Sequence, residues 1–322
     1  EIKTINTENT QVQKDGYQHF MEKEIHEQPR VVSLALEYYF DPDTGKITLP
    51  DGIDINFKDF EQIYLVACGT AFYACHVAKY WFEDIARIPV EIDIASEFRY
   101  REPPIKKNTL AIFVSQSGET ADTLAALRYC TGKAKKIVSL TNVSESSISR
   151  ESDCSLPILA GIEIGVASTK AFTCQLSVLF ALAIKASSDL EKISNEEQMN
   201  IYSEAIKIPS LLNQILDKKD SFSALATKLS EARDVLFLGR GLLYPLALEG
   251  ALKLKEISYI HAEAYASGEL KHGPIALIDK SVPVIILTPK DKLFDKNISN
   301  IQEVAARGGK VVLISDLSLI HI

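Results

Sequence analysis

The sequence lacks the cysteine pattern of a disulfide-stapled protein or of a zinc site. Its five cysteines are scattered and odd in number, and no two of them form a Cys-x-x-Cys pair. This usage is typical of proteins that stay in a reducing compartment. We therefore expect a cytoplasmic protein without a metal site.

The sequence also lacks a long hydrophobic run, a secretory leader and an excess of basic residues. Its most apolar stretch, residues 172–184, ends at Lys185 and is too short for a membrane span, and residues 1–28 are polar throughout. Lys and Arg total 35 against 43 Asp and Glu, which gives a formal net charge of -8. Such a charge is poorly suited to holding nucleic acid by bulk electrostatics. These absences argue against membrane and nucleic-acid partners.

What remains is an ordinary globular composition in a chain of 322 residues, with 46% hydrophobic and 24% charged residues. That length is enough for two domains, each with a sizeable core. The chain begins without Met and stops abruptly at residues 319–322, so we expect a piece of a longer protein.

One arrangement of strands and helices occurs twice. In the first copy, apolar runs predict strands at residues 63–67, 110–114 and 136–140, and helical patterns cover residues 71–85 and 121–130. In the second copy, strands are predicted at 235–238, 284–287 and 311–314, with helices at 244–257 and up to about 307. Buried strands that alternate with helices indicate parallel sheets covered on both faces.

The repeat predicts an α/β fold with two similar doubly wound, flavodoxin-like parallel-sheet domains related by pseudo-twofold symmetry. The expected order is an N-terminal helical and turn segment at 1–55, a first domain at 56–194, a helical connector at 195–225, and a second domain at 226–322 that lacks its last elements.

A loop rich in hydrogen-bond donors follows the second predicted strand. Residues 115–120 read Ser-Gln-Ser-Gly-Glu-Thr, and they lie where ligands bind in open α/β sheets. Their hydroxyls and carboxamide, with the free N–H groups of the helix start, can hold an anion. The alternative is that Ser117 and Thr120 only cap the helix. The density of donors favours a phosphate site, and the lack of a Gly-x-x-x-x-Gly-Lys-Ser/Thr motif argues against a nucleoside triphosphate.

The second copy offers charged groups instead of hydroxyls. Lys253 and Glu256 lie three residues apart on a predicted helix and share a face, where they form either a solvated ion pair or a general-base site. Residues 239–241 read Gly-Arg-Gly, but Tyr244 replaces the third glycine of a dinucleotide fingerprint, so a tight turn is favoured. His272, in a glycine-flanked loop, can act as an acid or a base near neutral pH.

These motifs resemble those of a known family. Residues 115–124 are similar to the signature of sugar isomerase (SIS) domains. More narrowly, residues 163–172, 249–263 and 268–274 resemble the glutamine–fructose-6-phosphate aminotransferases, also called glucosamine-6-phosphate synthases, and residues 95–101 resemble their bacterial branch. The resemblance extends from about Tyr17 to Asp316, and several independent motifs agree in order and spacing.

The resemblance implies a cytoplasmic homodimer with a fructose 6-phosphate site in the first domain and no metal or organic cofactor. The family's phosphate-binding positions match Ser115, Gln116, Ser117 and Thr120, and its sugar-lining positions match Thr70 and Val166. The family usually has Ser where this chain has Ala71, so we expect one hydroxyl contact fewer.

The resemblance also implies catalytic roles in the second domain. Glu256 matches the carboxylate that moves a proton between C1 and C2 of the sugar, tuned by burial and by its neighbour Lys253. His272 matches the ring-opening histidine, which the family supplies from the other subunit.

Two parts of the family's full chain have no counterpart here. These are the glutaminase domain with its N-terminal cysteine, and the C-terminal tail whose lysine forms a Schiff base with the ketose. The chain therefore resembles the isomerase portion of an enzyme that makes glucosamine 6-phosphate. The alternative is a non-catalytic, sugar-phosphate-binding regulatory SIS module, which would require a basic helix-turn-helix segment that the sequence does not show. A stand-alone phosphosugar isomerase would not require two copies with these motifs.

Overall fold

Two parallel sheets organise the residues that the computed structural model describes, which are residues 13–316. The first sheet contains β1 (Gln62–Ala67), β2 (Val90–Ile94), β3 (Thr109–Ser115), β4 (Lys136–Thr141) and β5 (Cys154–Pro157), in the order β2-β1-β3-β4-β5. The second contains β6 (Asp234–Gly239), β7 (His261–Ala266), β8 (Pro283–Leu287) and β9 (Lys310–Ile314), in the order β7-β6-β8-β9. Every strand pair is parallel. The flavodoxin-like order and its repetition confirm the predicted fold class.

Helices cover both faces of each sheet. Those of the N-terminal segment and first domain are α1 (Phe20–Tyr39), α2 (Gly69–Trp81), α3 (Ala95–Arg101), α4 (Ala121–Cys130), α5 (Ser147–Glu151) and α6 (Lys170–Asp189). The connector forms α7 (Asn195–Ala205), α8 (Ile208–Leu216) and α9 (Lys219–Leu229), and the second domain has α10 (Leu243–Ser258) and α11 (Phe294–Ala306). Separate hydrophobic clusters fill the two sides of each sheet.

The sequence analysis missed three strands, and all three lie at sheet edges. They are β2, β5 and β7, which pair on one side only. An edge strand needs no continuous apolar run, and β2 reads Val-Glu-Ile-Asp-Ile with mixed burial. The central strands are fully buried along their apolar runs, which is why their positions were predictable.

Helix α6 is longer than its apolar run suggested. It has 20 residues and, by length and composition alone, could cross a membrane. Most of it is buried inside the protein, where it packs against α1 and α2. This is the environment of a core helix.

The two domains meet through equivalent helices. Helix α2 follows β1 and helix α10 follows β6, and the two helices pack against each other. The rings of His76 on α2 and Tyr244 on α10 lie 5.7 Å apart between centroids, edge to face. This packing brings the carboxyl end of the first sheet next to side chains of α10.

Among the described residues the first sheet has five strands and the second has four, and the expected lack of the second domain's last elements stays a prediction because residues 317–322 lie outside the described residues.

Candidate active site between the two domains

A pocket of about 210 Å³ opens at the carboxyl ends of β1 and β3. It is lined by three groups of residues: Cys68, Thr70 and Ala71 after β1; Val114, Ser115, Gln116, Ser117, Thr120 and Thr123 around the β3–α4 loop; and Ser168 and Gln175 at the start of α6. Five of the six residues predicted to bind substrate thus meet in one place. The methyl group of Ala71 lines the wall where the related family usually has a hydroxyl.

The β3–α4 loop holds its hydroxyls toward the pocket by bonding within itself. The hydroxyls of Ser115 and Thr120 lie 3.0 Å apart, and the N–H of Gly118 donates to Ser115 Oγ at 3.1 Å. Ser117 Oγ accepts from the N–H of Glu119 at 3.2 Å. Thr120 occupies the N-cap position of α4, yet within residues 13–316 its side chain makes no capping hydrogen bond. The simple capping interpretation therefore fails for Thr120.

Gly118 is required by the shape of this loop. Its φ is +67°, in the left-handed region that favours glycine. A Cβ at this position would also lie 1.9 Å from Ser146 Oγ, closer than any contact allows. The glycine lets the loop approach the start of α5, where Glu119 Oε1 accepts from the N–H of Ser147 at 2.7 Å.

A second loop, residues 161–169, reaches the pocket through Ser168 and is held by buried charges. The Glu24 carboxylate on α1 accepts from the N–H groups of Ile164 and Gly165, at 2.5 and 3.0 Å. Lys170 Nζ lies 2.7 Å from Glu27 Oε2 with its side chain only 3% exposed. Helix α1, which precedes the first sheet, therefore supports part of the pocket wall.

Val166, in the same loop, does not line the pocket. Its residue surface is 99% exposed, while Ser168, two residues later, faces the pocket. The predicted contact of Val166 with the sugar is thus not supported by the position of its side chain, because the loop turns that side chain into solvent.

Charged side chains of α10 are linked to the pocket by hydrogen bonds with Thr70, which lines it. Lys253 Nζ donates to Thr70 Oγ1 at 3.0 Å, and Thr70 Oγ1 donates to Glu249 Oε1 at 3.1 Å. Lys253 Nζ also lies 2.5 Å from Glu256 Oε2 and 3.5 Å from Glu249 Oε1. One ammonium group therefore lies between two carboxyl groups, and the hydroxyl that joins them to the pocket belongs to the other domain.

Burial acts on Glu249 rather than on Glu256. The Glu249 side chain is 8% exposed, and desolvation raises its pKa to about 7 despite the opposing pull of Lys253 and Thr70. The Glu256 side chain is 32% exposed. The carboxyl group whose pKa burial raises therefore lies seven residues, about two turns, before Glu256 on the same helix, and the role predicted for Glu256 stays a prediction.

His272 lies apart from this cluster. It ends a short 3-10 turn, Ser267–His272, and is exposed in its own chain. It is not among the residues that line the pocket. Its predicted action on the sugar of another subunit stays a prediction.

The sequence analysis missed three polar residues of this site. Ser168 lies inside a motif that carried the family resemblance, and Gln175 is a polar residue in the most apolar stretch, where it is 2% exposed. Glu249 is four residues before Lys253, the spacing of two side chains on one helix face. A polar residue within an apolar helix was the available signal for the last two. Within residues 13–316, no three His, Cys, Asp or Glu side chains cluster as a metal site would require.

Comparison with known proteins agrees with this geometry. The SIS domain family matches residues 57–185 and 228–319, one match for each sheet. A glutamine–fructose-6-phosphate aminotransferase (isomerizing) of Bradyrhizobium diazoefficiens is 57% identical over 305 residues, covering 95% of this chain and 50% of the relative. One of Brucella abortus is 56% identical over 314 residues, covering 98% and 51%. The chain thus spans about half the length of the curated relatives it matches.

A solved structure shows which half of these relatives the chain matches. The C-terminal domain of the glucosamine-fructose-6-phosphate aminotransferase of Francisella tularensis superimposes with a TM-score of 0.91 and 45% identity, over 94% of this chain and 85% of that one. The chain belongs to the SIS domain family and corresponds to the SIS-containing half of the glutamine–fructose-6-phosphate aminotransferases.

Proposed function

We propose that this chain binds fructose 6-phosphate and carries out the ketose–aldose isomerisation that yields glucosamine 6-phosphate. Its identity to aminotransferases of this name supports the reaction, and the pocket supports the substrate class. The observation that carries the proposal is the meeting of two unlike sites at Thr70. A donor-rich loop of one domain lines the cavity, and the Lys–Glu pair of the other domain is hydrogen-bonded, through Lys253, to the cavity-lining Thr70.

The phosphate end of the substrate fits the β3–α4 loop. Ser115, Gln116, Ser117 and Thr120 provide hydroxyl and amide donors at the start of α4, whose N–H groups and dipole favour an anion. Fixing the phosphate there supplies binding energy away from the reacting carbons and orients them toward α10.

The sugar end fits the charged cluster. Glu256 moves the proton between C1 and C2, and Lys253, 2.5 Å from its carboxylate, holds that carboxylate in place and supplies positive charge beside the reacting carbons. Thr70 lines the sugar between them. His272 opens the ring from a second copy of the chain, in a homodimer located in the cytoplasm. In the full-length protein a glutaminase domain releases the nitrogen that the sugar accepts.

The proposed phosphate site is tested by a variant that should lose sugar-phosphate binding and keep its fold. Ser117→Ala combined with Thr120→Ala removes two hydroxyl donors, and we expect affinity for fructose 6-phosphate or glucosamine 6-phosphate to fall about a hundredfold. Isothermal calorimetry measures the affinity, and circular dichroism checks the fold. Thr131→Ala, at the opposite end of α4, removes a hydroxyl outside the pocket and serves as the matched control. Unchanged affinity in the double variant would reject the phosphate site.

The regulatory alternative has a specific test as well. A sensor module binds sugar phosphate but leaves it chemically unchanged, whereas the proposed enzyme exchanges the proton at C1 or C2 with solvent. Proton NMR of fructose 6-phosphate in D2O, with the full-length protein, distinguishes the two.

A further inference from the structure

Thr70 has a fixed set of hydrogen bonds. A threonine hydroxyl has one proton and two lone pairs. Its proton is donated to Glu249 Oε1, and one lone pair accepts from Lys253 Nζ. One lone pair remains, on a residue that lines the pocket.

Glu249 is what orients this hydroxyl. Its Oε1 accepts from Thr70 and lies 3.5 Å from Lys253 Nζ, while its Oε2 is buried with no hydrogen-bond partner among the described residues. A proton taken up by the carboxyl group therefore goes to Oε2, and Oε1 stays an acceptor in both protonation states.

We infer that Glu249 is a positioning residue that fixes Thr70 as a hydrogen-bond acceptor toward the sugar and holds Lys253 between the two domains. The inference rests on the proposed function, because it names how the same pocket distinguishes a sugar hydroxyl from other groups. Thr70 then accepts from a sugar hydroxyl and cannot donate to one.

Two further observations favour this role over a purely structural one. Glu249 is hydrogen-bonded to the pocket-lining Thr70, which belongs to the other domain, so its side chain bridges an interface. A buried carboxyl group with an unsatisfied oxygen is also costly to keep, and an apolar residue would pack the same helix face at lower cost. The cost is explained if the group is needed to orient Thr70.

The experiment compares two probes on the chain itself. Inorganic phosphate needs only the β3–α4 loop, whereas fructose 6-phosphate also needs Thr70. Glu249→Leu removes the acceptor of the Thr70 proton, so that the Thr70 hydroxyl is free to turn and donate. We expect affinity for fructose 6-phosphate to fall about tenfold while affinity for inorganic phosphate stays within twofold. Glu231→Gln, on the exposed turn before β6, removes the same charge elsewhere and is the control.

Coupling between the two residues gives a second readout. In a Thr70→Val background, where no hydroxyl is left to orient, Glu249→Leu should cause no further loss of sugar affinity. If Glu249→Leu fails to fold, Glu249→Asp withdraws the carboxyl group by one methylene and should produce the same selective loss.

The outcomes separate the two proposals. Equal affinity of Glu249→Leu and wild type for fructose 6-phosphate overturns the inference, and so does an equal loss for both probes, which would indicate a structural role only. A wild-type chain that binds inorganic phosphate but not fructose 6-phosphate contradicts the proposed function instead.

Discussion

Glu249 shows how one buried side chain links the site to stability. Its pKa is raised to about 7 in the folded chain by desolvation, against an ordinary value of 4.5. Below pH 4.5 the group is protonated in both folded and unfolded chains and contributes nothing. Between pH 4.5 and 7 the unfolded chain loses this proton first, so folding stability falls as pH rises.

The first prediction therefore concerns pH-dependent stability. A shift of this size corresponds to at most about 3 kcal/mol of destabilisation above pH 7. Glu249→Gln removes the titrating group, so its free energy of unfolding relative to wild type should rise between pH 5 and pH 8 by up to that amount. Urea denaturation at several pH values measures it. Parallel pH profiles for the two proteins would show that Glu249 is ionised in the folded chain throughout this range.

Among the secondary-structure elements, helix α1 precedes the first domain in the chain and also supports its pocket. Its buried carboxylate Glu24 holds two backbone N–H groups of the loop that carries Ser168 into the pocket. Gly165 is needed for this approach, because a Cβ there would lie 2.5 Å from Glu24 Oε2. A helix that lies before the matched SIS region thus supports the wall of the pocket.

The second prediction follows from that contact. Glu24→Ala should lower the free energy of unfolding by about 1–3 kcal/mol and weaken fructose 6-phosphate binding several-fold, since two backbone N–H groups of the loop lose their charged acceptor. Glu37→Ala removes an exposed carboxylate from the same helix and should change neither quantity. Chemical denaturation and calorimetry give the two numbers. A Glu24→Ala chain that is destabilised but binds normally would show that the loop keeps its shape without α1.

The secondary-structure elements also show which features the sequence could predict and which it could not. Buried central strands and the β3–α4 loop follow from local patterns, because an apolar run and a cluster of hydroxyls are visible within a few residues. Edge strands such as β2 carry acidic residues and give no such signal. The pairing of Thr70 with Glu249 joins residues 179 apart, so only the packing of α2 on α10 could reveal it. Val166 shows a different limit, because the motif that matches its position does not determine where its side chain points, and that side chain is exposed.

For the molecule as a whole, the two domains contribute different chemistry. The first places hydroxyls in the pocket, and the second carries the charged Lys253 and Glu256. The curated relatives are about twice as long as this chain. The family resemblance assigns glutamine hydrolysis and the Schiff-base lysine to parts outside these residues.

The third prediction is that these 322 residues alone bind fructose 6-phosphate but form essentially no glucosamine 6-phosphate from glutamine. The reason is that neither the nucleophilic cysteine nor the tail lysine has a counterpart in them. A coupled assay for glucosamine 6-phosphate measures the product. Robust product formation would refute the assignment of those roles.

The fourth prediction places His272 across a subunit interface. In the full-length protein, subunits with His272→Ala are mixed with subunits that carry Ser117→Ala and Thr120→Ala. Random pairing makes about half the dimers mixed, each with one intact shared site, so about a quarter of wild-type activity should return. If His272 serves its own chain, activity stays at the level of the parent homodimers.

The hydrogen bonds that join Thr70 to Glu249 and Lys253 also have a consequence for how this protein can change over evolutionary time. Duplicated units often remain separable, so that one copy can be lost, swapped or recombined while the other keeps working. Here the hydroxyl of one copy and the ammonium group of the other bond directly. We therefore expect the two copies to be inherited together. A substitution at Thr70, Glu249 or Lys253 should be accompanied by substitutions at the other two positions.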